Sequence, residues 1–196
     1  MAPKDATKWN DKAVRPLRRV EYDQLVERGM LEGEHVELLG GSLVVAEPQS
    51  PYHLDVIERL ADLFRAHAEG RWRVRDEKPL AISDISEPEP DIALVEPGDY
   101  SAAHPTSALL VVEISDSSLR RDHGLKARLY ARGDIDEYWV VDVRRGRIEV
   151  HRRAELGVWK ESFTVEMGGT VSPLAAPELS VDVSALLPRA ARSRSQ

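Results

Sequence analysis

Apolar positions along this chain change their period several times, and each change marks an element. Val20 to Arg28 carries a short helical pattern that Gly29 closes. His35–Leu39 and Ser42–Ala46 flank Gly40-Gly41; the two glycines supply the positive φ angles of a tight primed turn, which predicts a β-hairpin. Ser50 then offers an N-cap, and Pro51 stands at the first helical position, where a missing N–H costs nothing. Ile57, Leu60, Ala61 and Phe64 recur at helical spacing up to a C-cap at Gly70, with His53 one turn before Ile57 on the buried face. Extended segments follow at Arg71–Ile82 and, beyond Glu87-Pro88-Glu89-Pro90, at Asp91–Val95. Leu109–Ile114 is a nearly continuous apolar run of strand length, as the centre of a sheet requires. Capping residues at 115–118 lead into a helix from Ser118 to Ala131 that stops at Gly133. Glu137–Val143 and Arg147–His151 read as strands joined across Arg144-Arg145-Gly146, and Val158–Glu166 as one more. Pro173, Pro177 and a short Val183–Leu187 segment form a closing appendix. From Ser50 the order is helix, three strands, helix, strand, which predicts an α/β fold whose mixed sheet is flanked by helices.

Composition sets the bounds. At 196 residues with 42 % hydrophobic positions, the chain suits one domain with a real core. Residues 1–19 lack an apolar signal core and read as a disordered leader; 20–187 form the domain, and 188–196 a basic disordered tail. With no cysteine, disulfides, thiolate metal sites and cysteine nucleophiles are excluded, which fits a cytoplasmic location. No apolar run approaches the roughly 20 residues of a membrane span. A net charge of −7 disfavours whole-surface binding to nucleic acid. Contact with DNA then rests on local groups such as Arg71/Arg73/Arg75, Arg120/Arg121 and Arg144/Arg145/Arg147, although such arginine groups are more often plain solvated faces.

Three ionisable residues stand out by position. Asp91 opens a strand directly after a proline, Glu113 interrupts the most apolar strand, and Lys126 lies on the next helix with Asp122 and Tyr130 one turn either side. A glutamate in a central strand carries several kcal/mol of desolvation unless it is paired or binds a metal. A second carboxylate on a neighbouring strand makes a shared hard cation such as Mg²⁺ one solution. The other solution is ordinary pairing: Glu113 with Ser115 or Arg120, Asp91 as a turn cap, Asp122 with Lys126 as a surface pair. Spacing leaves both open.

Glu-Pro-Asp91, Val-Glu113-Ile-Ser115 and Asp122…Lys126…Tyr130…Glu137-Tyr-Trp139 together resemble the Uma-type endonuclease family of the PD-(D/E)XK, restriction-endonuclease-like superfamily. The likeness runs from about Tyr22 to Arg153 and includes Val36-Glu37-Leu38-Leu39-Gly40-Gly41 and Pro51-Tyr52-His53. It implies a restriction-endonuclease-like core with an N-terminal helix and hairpin and a C-terminal β extension. Asp91 and Glu113 would be metal ligands, with the backbone carbonyl of Ile114 as a third. The superfamily's lysine usually lies two residues after the second acid, where this chain has Ser115; Lys126 on the helix would replace it. Glu37 matches an extra acid on the early element, and His53 a polar residue at the rim. Tyr130 and Trp139 read as core.

The resemblance thus implies a Mg²⁺- or Mn²⁺-dependent endonuclease that hydrolyses DNA, acting as a homodimer by analogy with two-fold nucleases. Two other classes stand beside it. One is a catalytically weak nuclease-fold binding or regulatory protein, motivated by the acidic charge and the displaced lysine. The other is a structural protein whose strand carboxylates pair with arginines.

Overall fold

The computed structural model describes residues 15–46, 48–116 and 122–188; the side chains of Asp122 and His123 fall outside that description, as does the expected Ser118 helix start. The sheet is built outward from its two most apolar strands. An N-terminal helix α1 (Arg19–Glu27) and a hairpin of β1 (Val36–Leu39) and β2 (Ser42–Val45) precede helix α2 (Pro51–Ala66). Strands β3 (Arg73–Asp76), β4 (Ile92–Val95), β5 (Ser107–Ala108) and β6 (Leu110–Ser115) follow. A π-helical turn over Asp122–Lys126 runs into helix α3 (Ala127–Arg132), then come β7 (Asp134–Ile135), β8 (Glu137–Asp142), β9 (Arg147–Glu155) and β10 (Val158–Glu166). The chain closes with β11 (Thr170–Val171), β12 (Val181–Asp182) and helix α4 (Val183–Leu186).

Six strands form the main sheet in the order β10-β9-β8-β6-β4-β3. Only β6 and β8 pair in parallel, with Glu113 opposite Val140; the crossover between them carries the π turn and α3, as parallel neighbours require. The remaining pairings are antiparallel. Each central strand is buried on both faces. Ile92, Leu94, Leu110, Val112 and Ile114 face Val56, Ile57, Leu60 and Phe64 of α2 together with the β11–β12–α4 extension. Ala93, Val95, Val111 and Val140 face Ala127 and Tyr130 of α3. Burying each large side chain of the α2 stripe contributes about 1.5–3 kcal/mol.

Several boundaries differ from the sequence pattern for local reasons. Of the extended Arg71–Ile82 segment only β3 pairs, because Glu77 takes a positive φ of 50° and turns the chain out of the sheet. Gly133 ends α3 with an extended φ of −82° rather than a left-handed cap. Strand β9 runs beyond the expected His151 to Glu155, and Leu156-Gly157, both at positive φ, close its hairpin with β10. Residues 15–18 lie along the first hairpin, where the Leu17 amide donates to the Gly41 carbonyl at 2.9 Å. No helix among the described residues is long and apolar enough to cross a membrane.

Candidate active site

Register brings the two acids together. Ile92 pairs with Val112 between antiparallel β4 and β6, so Asp91, one residue before β4, stands opposite Glu113. Side chains alternate faces along a strand; Glu113 falls on the α3 face, the parity of Val111, whereas Asp91, just outside β4, meets His53 at the start of α2. Both are buried.

Each acid has its own partners. The Ile114 amide donates to Asp91 Oδ2 at 2.5 Å, and His53 Nε2 lies 3.1 Å from Asp91 Oδ1. His53 is placed there by the start of α2, where the Ser50 hydroxyl accepts from the His53 amide at 3.2 Å. Burial opposes a charge on His53, but the hydrogen bond and charge of Asp91 outweigh it and hold the imidazole pKa above its ordinary value. Glu113 is held from α3 and the turn before it. Lys126 Nζ donates to its two oxygens at 2.9 and 3.0 Å, and the Tyr130 hydroxyl donates to Oε1 at 2.7 Å. Burial, then the Glu113 charge, push the Tyr130 pKa well above the usual phenol value, so it remains a donor.

A third acid comes from the hairpin. Lys126 Nζ also donates to Glu37 Oε1 at 3.1 Å, and the Glu89 amide reaches the same oxygen at 3.4 Å. Glu37 Oε2 is buried without a hydrogen-bond partner among the described residues. Burial and then the Glu37 charge raise the Glu89 pKa. A π turn directly before α3 carries Lys126 to this position, and π turns gather at functional sites.

Glu113, Lys126, Tyr130 and Glu37 therefore form one hydrogen-bonded buried group, and His53, Asp91 and the Ile114 amide a second, next to it along β6. Ser115 ends β6, buried, with its carbonyl accepting from the Val143 amide at 3.2 Å. The Asp122 side chain lies outside the described residues. The Ile114 contact shown is its amide, on Asp91, rather than its carbonyl. Tyr130, expected as core, is fully buried and also touches Glu113; its position four residues after Lys126 was the available signal. Glu89 was missed, and only its place two residues before Asp91 pointed to it.

The arginine groups mostly meet acids. Arg71 pairs with Glu178, Arg144 with Asp116, Arg145 with Asp142 and Arg147 with Glu149. Arg75 is buried over the Tyr100 ring, Arg73 donates to the Gly98 carbonyl, and Arg120/Arg121 lie outside the described residues. A buried carboxylate–arginine pair occurs at Glu137, the first residue of β8. Glu137 accepts from Arg152 at 2.7 Å, from Trp139 Nε1 at 2.7 Å and from the Leu174 amide at 2.6 Å. That cluster pins the C-terminal extension to the sheet.

Comparison with known proteins places this arrangement. Residues 19–184 match the family described as "Uma2: Putative restriction endonuclease". The chain belongs to the Uma2 family. A crystal structure of "a putative nuclease belonging to DUF820" from Anabaena variabilis shares the fold at a TM-score of 0.70 and 16 % sequence identity, covering 88 % of this chain and 98 % of that one. No curated protein matches. The Uma2 chain thus has the nuclease-like α/β fold, a mixed six-stranded sheet flanked by helices.

Proposed function

We propose that this Uma2 chain is a Mg²⁺- or Mn²⁺-dependent endonuclease that hydrolyses DNA phosphodiester bonds at Asp91, Glu113 and Lys126. The observation that carries the reading is the register, which sets two buried carboxylates opposite each other beside a buried lysine. Among the described residues no three acidic or imidazole side chains already converge as a ligand set. The donor chemistry nonetheless suits a hard cation, because each of these acids offers oxygen and Glu37 Oε2 is buried and unsatisfied among the described residues. Asp91 and Glu113 would hold the cation, with the Ile114 carbonyl as the protein's third donor. Bound there, it would supply an activated water and Lewis-acid stabilisation of the phosphate.

The chain's own residues do the positioning. His53 and the Ile114 amide fix the Asp91 carboxylate from two sides, so its rotamer is set before substrate arrives. Tyr130 does the same for Glu113 from α3. Lys126 supplies a positive charge for the phosphate oxygens, the role a strand lysine fills where Ser115 stands. Burial strengthens each of these interactions by lowering the local dielectric. Ser115 and Asp122 are accessory at most. DNA is the substrate expected of a restriction-endonuclease family, and a homodimer in a cytoplasmic setting is the assembly this reading favours.

One observation favours a second reading. Lys126 and Tyr130 already engage both Glu113 oxygens, so the site can rest as a neutralised ion pair in a nuclease-fold binding protein. A single experiment separates the two. Purified protein incubated with plasmid and single-stranded DNA in Mn²⁺ should cleave, and Asp91→Asn should lose about a thousandfold or more of the rate. Equal cleavage by the two proteins would remove Asp91 from the mechanism; no cleavage by either would favour the binding protein.

A further inference from the structure

Lys126 sits where a cation belongs. Its side chain is 6 % exposed, and Nζ lies within 3.1 Å of three carboxylate oxygens, two on Glu113 and one on Glu37. We infer that Lys126 is a resident counter-ion that a divalent cation must displace from Glu113, and that Glu37 is the positioning residue that retains it in the site. This rests on the metal-dependent reading above and adds to it an exchange between two cations.

The argument is one of charge and valence. Two buried carboxylates on neighbouring elements repel, and an ammonium between them offsets that repulsion without any metal. Nζ already spans both Glu113 oxygens, so a divalent cation bound to either oxygen meets a like charge at close range in a low-dielectric site. One must yield. Glu113 is on a strand locked between β4 and β8, whereas Nζ ends a flexible four-carbon stem that leaves the chain at a π turn. The lysine is therefore the part that moves. Glu37 gives it somewhere to stay: its Oε1 already accepts from Nζ, and its Oε2 is buried without a hydrogen-bond partner among the described residues, able to take the N–H that Glu113 releases. Glu37 is thus the carboxylate, already bonded to Nζ, onto which the displaced ammonium shifts.

The distinguishing measurement is Mn²⁺ binding by calorimetry at neutral pH, with thermal melts in parallel, and needs no turnover. Lys126→Met should bind Mn²⁺ at least fivefold more tightly than wild type and gain a larger rise in melting temperature from the metal. Glu37→Gln should bind it more weakly. In the double variant Lys126→Met/Glu37→Gln the Glu37 substitution should lose most of that effect, because there is no lysine left to retain. A charge effect alone would weaken binding equally in both backgrounds, and that additivity would overturn the role given to Glu37. If Lys126→Met fails to fold, the double variant against Glu37→Gln still tests displacement, since it removes one acid together with the lysine: tighter Mn²⁺ binding by the double variant is expected, and equal binding would overturn the exchange.

Failure of the inference is distinct from failure of the reading beneath it. Wild-type binding that Asp91→Asn abolishes, with Lys126→Met no tighter, overturns the exchange and leaves the metal site. Binding by Lys126→Met but not by wild type supports displacement and contradicts a working metal enzyme. Binding by neither overturns both.

Discussion

Glu113 is the residue on which the centre depends, because a strand carboxylate with no exposure to spare must be answered by buried donors. Lys126 answers its charge and Tyr130 its second hydrogen-bonding requirement on Oε1. Removing a hydrogen bond to a charged group costs about 1.5–3 kcal/mol. Tyr130→Phe should therefore lower stability by that amount in denaturant unfolding while leaving the packing of the ring on Tyr138 intact. A loss under about 0.5 kcal/mol, the range of ordinary surface changes, would mean that Tyr130 is only a core ring. Sequence spacing singled out Asp91, Glu113 and Lys126 as candidates because each breaks a local pattern: an acid after proline, an acid in an apolar run, a lysine on the next helix. It could not assign Tyr130, since a buried aromatic at helical spacing looks the same whether or not its hydroxyl has a task. Glu37 and His53 were legible only through the family resemblance, because the hairpin and α2 meet the site through tertiary contacts.

At the scale of elements, the strongest local signals translated most directly. The Gly40-Gly41 pair predicted a primed turn, and both glycines adopt positive φ, 60° and 80°. They are not equivalent. A Cβ on Gly41 would lie 2.3 Å from Pro16 Cβ and 2.8 Å from Pro16 Cα, whereas nothing lies within 4 Å of one on Gly40. Gly40→Ala should cost about 1–2 kcal/mol of backbone strain, and Gly41→Ala clearly more, because the segment ahead of α1 must shift as well. Thermal melts of the two variants check the order, and equal costs would show that Pro16 yields freely. Ser50-Pro51 likewise fixed the start of α2, and through it the position of His53. The π turn was not legible: its wider hydrogen-bond spacing reflects the demand that Lys126 reach the sheet, and no local propensity encodes it. Nor was the end of β3, set by a positive φ at Glu77 that glutamate rarely adopts.

For the whole molecule, the alternation of helices and strands gave the fold class, while the docking of peripheral parts depends on buried charges that the pattern leaves silent. Glu87 is the clearest of these. It is 4 % exposed and lies 3.9 Å from both Arg19 of α1 and His104. Burial, then the Asp23 charge, raises its pKa to about 7, with Arg19 pulling the other way. A carboxyl whose folded pKa is raised from about 4.5 contributes stability fully below that value and loses it as pH rises through about 7. Wild-type melting temperature should therefore fall between pH 4.5 and 8 relative to Glu87→Gln, which should match it at the acid end and exceed it at pH 8. Parallel curves across that range would contradict the assignment. The acidic whole, with arginines such as Arg71, Arg144, Arg145 and Arg147 matched to acids, confines the proposed substrate contact to the neighbourhood of the Asp91–Glu113 centre. That centre is the central claim, and diffraction tests it most directly. Crystals soaked in millimolar Mn²⁺ and measured at the manganese absorption edge should show an anomalous peak liganded by the Asp91 and Glu113 carboxylates. Strong manganese peaks elsewhere with none between these two residues would contradict it.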